Sequence, residues 1–151
     1  MEKFMSTMSK EYWGIIFMLT FSFLLLPSNI YSSSIKEKDE LQEKCGKYCE
    51  EYFSKTYGNG IIEVDNGQEN WTYDNHYNKK LNKCFILTTT LVSTKNKTSG
   101  GKRKEIFDIL EETSYGEFMM IDGQLIFCNV LKEKCRFENE WDLLVKPYME
   151  E

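Results

Sequence analysis

HYNKKLNKCFILTTTLV, His76 through Val92, is the stretch on which the fold turns. From Lys83 onward, Cys84, Ile86, Thr88, Thr90 and Val92 alternate with Phe85, Leu87, Thr89 and Leu91. That is the two-residue period of a strand, and the β-branched content favours a pleated backbone over a helix. Neither alternating set is wholly polar. The same stretch places the chain's single histidine eight residues before a cysteine. A reactive His76 and Cys84 pair therefore competes with a polar lead-in to a structural strand, and the alternation favours the strand.

Working outward, GEFMMIDGQLIFCNV (Gly116 to Val130) contains an Asp122-Gly123 hairpin turn, because glycine accepts positive φ freely and aspartate tolerates it better than most side chains. Pairing Ile121 with Gln124 puts Met120 opposite Leu125 and Phe118 opposite Phe127. Glu105 to Leu110 fits either a further strand or one helical face. The polar segment Ser93 to Lys104, with Gly100 and Gly101, reads as a mobile hairpin loop. Between Ile61 and Asn82 the pattern is irregular: Asp65, Asn66 and Gly67 suggest a turn, and Tyr73, Tyr77 and Leu81 make a short helical face or a covering loop.

Helical periodicity appears at both ends of this region. From Lys36 to Lys55, the residues Leu41, Cys45, Tyr48, Cys49, Tyr52 and Phe53 recur at three- and four-residue spacings, with Ser34 and Glu37 as a capping box and Gly58 to Gly60 as a stop. Phe137, Trp141, Leu144 and Tyr148 mark a second stripe, with Asn139 as a cap and Pro147 ending the helix near Lys146. The expected fold is α+β: a single antiparallel sheet of about four strands packed in one layer pair with N- and C-terminal helices.

Lys3 and Lys10 precede the apolar stretch Trp13 to Leu26, which is followed by Pro27 and the small residues Ser32 to Ser34. At 14 residues the stretch is shorter than the roughly 20 of a spanning helix. Residues 1–34 thus read as a signal peptide and 35–151 as one small domain; a retained membrane anchor is the competing reading. The expected location is periplasmic or secreted. A formal charge of -5 and a densest basic run of only Lys102, Arg103 and Lys104 argue against nucleic acid as a partner.

An exported chain with five cysteines is expected to form disulfides, at most two of them internal. Cys45 and Cys49 lie one helical turn apart with roughly parallel Cβ directions, which disfavours their direct union. The expected bonds are Cys49–Cys84, fastening the first helix to the sheet, and Cys128–Cys135, leaving Cys45 over. No CxxC pair or multi-histidine set points to a metal or a redox cofactor, so none is expected.

The apparent catalytic residues have simpler readings. Asp39, Glu40, Glu43, Glu111 and Glu112 lie in charge-rich stretches that solvation explains, and the glycines match no nucleotide-binding loop. No catalytic or cofactor-binding residue is assigned. Trp71, Tyr73, His76 and Tyr77 form the most suggestive partner surface, although capping of the core explains the rings as well.

In HYNKKLNKCFI (76–86), CNVLKEKCRF (128–137) and EWDLLVKPYMEE (140–151), the chain resembles small exported bacterial proteins of uncharacterised function. That resemblance implies a periplasmic or secreted location and transfers no catalytic residue. The leading expectation is a noncatalytic extracytoplasmic interaction protein that binds a protein or cell-envelope component. One alternative is a small hydrolase or thiol enzyme using His76 with Cys84 or a carboxylate, and another is a structural envelope protein.

Overall fold

The computed structural model describes residues 29–95 and 100–150, with side chains from Lys36 onward. The apolar stretch Trp13 to Leu26 lies outside the described residues. The chain divides into Met1–Glu37 and Lys38–Glu151, and the packing below is that of the second unit. Its elements run α1 (Asn29–Tyr57), β1 (Ile61–Val64), β2 (Gly67–Asn78), β3 (Lys83–Thr94), β4 (Gly100–Asp108), β5 (Thr113–Ile121), β6 (Gln124–Val130), β7 (Glu133–Lys134) and α2 (Glu138–Met149).

All seven strands form one antiparallel sheet in sequence order. The expectation of about four strands is overturned, chiefly by β2. Its sequence GQENWTYDNHYN carries Gly67, Asn70, Asp74, Asn75 and Asn78, residue types depleted in strands. It is nevertheless in register with β3 along its whole length, from Gly67 opposite Thr94 to Asn78 opposite Lys83. Tertiary pairing outweighs local propensity here. Most of the expected loop Ser93 to Lys104 likewise belongs to β3 and β4, and β1 and β7 are short edge strands.

The single layer pair is corrected as well, because the helices cover opposite faces of the sheet. On one side, Cys45, Cys49 and Phe53 of α1 pack with Tyr77, Cys84 and Ile86 of the sheet, joined by Leu41, Tyr52, Tyr57, Trp71, Tyr73, Phe107 and Ile109. On the other, Trp141 and Val145 of α2 pack with Phe85, Ile106, Phe118, Cys128, Val130 and Cys135. Successive strand residues point to opposite faces, so Cys84 and Ile86 serve one core while Phe85 and Leu87 serve the other. This explains why neither alternating set of β3 is polar: both faces are buried.

Local details follow from turn and cap chemistry. Asp122 (φ 49°) and Gly123 (φ 78°) make the expected hairpin turn, with Ile121 opposite Gln124 and Met120 opposite Leu125. A bulge then intervenes, so Phe118 faces Cys128 and Met119 faces Phe127, a correction of one residue to the expected pairing. Gly60 (φ 81°) follows α1, and a Cβ there would run into the Trp71 carbonyl. Ser34 lies inside α1 and so is not its cap; Tyr48, expected in the buried stripe, is half-exposed.

The α2 helix continues through Pro147 to Met149. The proline deprives only the carbonyl of Leu143, a residue on the exposed side, of its helical donor. The buried Asn78 amide donates to the carbonyls of Pro147 (2.9 Å) and Tyr148 (3.3 Å), supplying partners the last turn lacks. Phe137 is the N-cap residue in place of Asn139 and is largely exposed, and Val145 joins Trp141 as a buried residue of the helix.

Candidate functional site

Three cysteines meet under α1. Cys45 and Cys49 sit one turn apart on its buried face, and Cys84 rises from β3 to meet them. All three are at most 2% exposed, and their sulfurs lie within 4.8 Å of one another. The disulfide joins Cys45 to Cys84, correcting the expected Cys49–Cys84 bond, and Cys49 is the free thiol. Spacing could not choose between two cysteines that share one helix face. The Cys49 sulfur lies 3.7 Å from that of Cys84 and makes a long 3.8 Å contact with the Phe85 carbonyl. Burial pushes its thiol up to about 12, so it is protonated at neutral pH. The second bond joins Cys128 and Cys135 and closes the β6–β7 turn.

Gln42 fixes α1 above this cluster, its side-chain amide donating to Asn75 Oδ1 at 2.9 Å while its carbonyl accepts the Tyr77 N–H at 2.8 Å. The segment expected as a partner-binding loop is therefore the interior of β2. Trp71 stacks on Tyr57 with ring centroids 4.0 Å apart, Tyr73 packs on Phe53 at 4.6 Å, and Tyr77 is buried. These rings hold α1. His76 pairs in register with Phe85, whereas Cys84 pairs with Tyr77, so His76 and Cys84 belong to opposite faces and form no catalytic pair.

Several of the remaining charges form ion pairs. Glu43 accepts from Lys47 on the exposed side of α1, and Glu111 pairs with Lys83. Lys83 also donates to the fully buried Asp108 at 2.7 Å; these hydrogen bonds raise its pKa. The basic run on β4 is split by strand alternation: Lys102 and Lys104 reach Glu138 and Asp142 of α2, while Arg103 lies on the other face near Glu105 and Glu117. Half-buried Glu105 has its pKa raised, by desolvation first and by Glu117 in addition, against the pull of Arg103.

The signal that sequence reading missed is the apolar end of the β5–β6 hairpin. Ile121, Leu125 and Ile126 are exposed at 41%, 38% and 53%. Ile126 has no cross-strand partner between the Met120–Leu125 and Met119–Phe127 pairs, and this bulge position leaves its side chain outside the core. On one side, Val92, Gly101, Met119 and Ile121 line a groove of about 230 Å³, with Arg103 and Asp122 at its rim. On the other, Leu125, Ile126 and Phe127 border a groove beside the Cys128–Cys135 bond. Because β7 pairs only with Asn129 and Val130 and the Cys135 N–H donates to the Cys128 carbonyl, the outer edge of β6 from Gln124 to Phe127 has no strand neighbour among the described residues.

Among the described residues, no helix is long and apolar enough to cross a membrane. Comparison of the chain with protein-family models, with curated proteins and with solved structures gives no match, in keeping with a resemblance that carries no family name.

Proposed function

We propose that the protein is a noncatalytic binding module acting outside the cytoplasm, in the periplasm or after secretion, and that the apolar end of the β5–β6 hairpin is its working surface. The observation that carries this reading is Leu125 and Ile126, exposed on β6 beside an open strand edge and a groove, with Ile121 exposed at a second groove on the other side of the hairpin. Leu125 and Ile126 are neighbours on β6, and apolar side chains exposed together at an unpaired strand edge suit an interaction site. The partner chemistry is an apolar segment of another protein, whose side chains enter the grooves and whose backbone meets the β6 edge. The leader-like N-terminus and two disulfides support the extracytoplasmic setting.

The test compares Ile126→Lys with Leu143→Lys, the latter on α2 and exposed at 67%. Burying an isoleucine contributes about 1.5–3 kcal/mol, so Ile126→Lys should lower photo-crosslinked partner capture from the native extracytoplasmic fraction by tenfold or more. Leu143→Lys should leave capture intact, and neither variant should shift the unfolding midpoint appreciably. Equal capture by both variants refutes the assignment.

A second reading, thiol chemistry, draws on the short distance between Cys49 and the Cys45–Cys84 bond. With all three residues at most 2% exposed, that chemistry has no exposed sulfur to offer an external substrate in this conformation.

A further inference from the structure

The geometry points to an internal thiol–disulfide exchange site: we propose that Cys49 attacks Cys84, so that the protein interconverts two disulfide isomers, Cys45–Cys84 and Cys49–Cys84, without any external oxidant or reductant. Cys84 is common to both.

The exchange balances by itself. The Cys49 thiol loses its proton to solvent base and its sulfur forms a bond to Cys84 Sγ. The Cys45–Cys84 bond breaks, its electron pair stays on Cys45, and that sulfur takes up a proton. One disulfide and one thiol exist before and after, so there is no net oxidation or reduction. Because no lasting charge is created in the apolar pocket beneath α1, burial opposes the transition between isomers more than either isomer itself.

Three observations place the reacting groups. Cys49 Sγ is 3.7 Å from Cys84 Sγ, so bond formation asks for a movement of about 2 Å, within reach of side-chain rotation. Cys45 and Cys49 occupy successive turns of the same buried helix face, so either can reach β3 from above. Gln42, hydrogen-bonded to both Asn75 and Tyr77, keeps α1 seated on β2 independently of the disulfide.

The same geometry predicts slow exchange at neutral pH. Cys49 lies beside the Cys45–Cys84 bond and not on its extension, since its sulfur stays within 4.8 Å of both partners. Attack therefore waits on a rotation that brings the sulfur into line. Burial pushes the thiol up to about 12, and only about one molecule in 10⁵ carries the thiolate at pH 7. Each pH unit below that value should change the rate about tenfold.

The experiment is disulfide mapping of the folded, unreduced protein after incubation at pH 7, 8, 9 and 10, with acid quenching and alkylation of free thiols before digestion. The expected result is growth of a Cys49–Cys84 peptide together with alkylated Cys45, at a rate independent of protein concentration, while Cys128–Cys135 stays intact. A Cys45→Ser variant, oxidised during refolding, should hold Cys49–Cys84 from the outset. If wild-type protein shows only Cys45–Cys84 at every pH while circular dichroism reports it folded, the proposal is overturned. Scrambling that draws in Cys128 or Cys135 to the same extent also overturns it. The wild-type measurement decides the matter even if Cys45→Ser fails to fold.

Discussion

Cys84→Ala should destabilise the protein more than Cys128→Ala/Cys135→Ala. A cross-link acts largely by limiting the unfolded chain, and its effect grows with the loop it closes. Cys45–Cys84 spans 39 residues, whereas Cys128–Cys135 spans 7. On the chain-entropy relation the first contributes about 4 kcal/mol and the second about 2 kcal/mol. Replacing Cys84 removes the common partner of Cys45 and Cys49, so neither helix cysteine can restore the link to β3. Lost side-chain volume ranks the variants oppositely, since the double replacement removes two buried sulfurs and the single one removes one. Urea unfolding without reductant, monitored by far-ultraviolet circular dichroism, separates the explanations. At a slope of about 2 kcal/mol per molar urea, Cys84→Ala should lower the midpoint by about 2 M and the double variant by about 1 M. Equal losses, or a larger loss in the double variant, would refute the loop argument.

Two further perturbations probe the α2 side of the sheet. Trp141 is fully buried, packs near Phe118 with ring centroids 6.3 Å apart and lies under the Lys104 ammonium; Trp141→Ala should cost about 3–5 kcal/mol and show first as faster amide exchange in α2, and full protection of α2 in the variant would refute this. Burial alone would raise the Glu138 carboxyl, but hydrogen bonds and charge from Lys104 and Lys102 outweigh it and hold the pKa below its ordinary 4.5. A depressed folded-state pKa gives stability that is present above the unfolded value and lost as pH falls through the folded one, so Glu138→Gln should flatten the stability loss on acidification below about pH 5. An unchanged slope in urea unfolding at pH 3 to 6 would count against it.

Where side-chain period or turn chemistry dominates, the sequence was readable. The alternation in β3, the Cys45–Cys49–Phe53 stripe and the Asp122-Gly123 turn all stand in the structure. The long β2 strand was hidden because Asn70, Asp74 and Asn75 have poor strand propensity, and what holds them in place is pairing with distant residues. A run of consecutive charges obscured β4: Lys102 and Lys104 become strand residues because Glu138 and Asp142 on α2 receive them. As for the candidate site, the expectation that a cysteine of the first helix is fastened to Cys84 stands, but not which one, since Cys45 and Cys49 face the same strand. The exposed Ile126 was concealed by a bulge, which no short-range pattern announced.

The strand order carries a kinetic consequence. Each strand hydrogen-bonds to its immediate predecessor in the chain, so the sheet contains no crossover that must await a distant segment. A chain that becomes available from its N-terminal end can lay down its hairpins in order of arrival, with the long β2–β3 pair offering an early template. Only the seating of α2, which needs both β2 and β6, must wait until nearly the whole polypeptide has emerged.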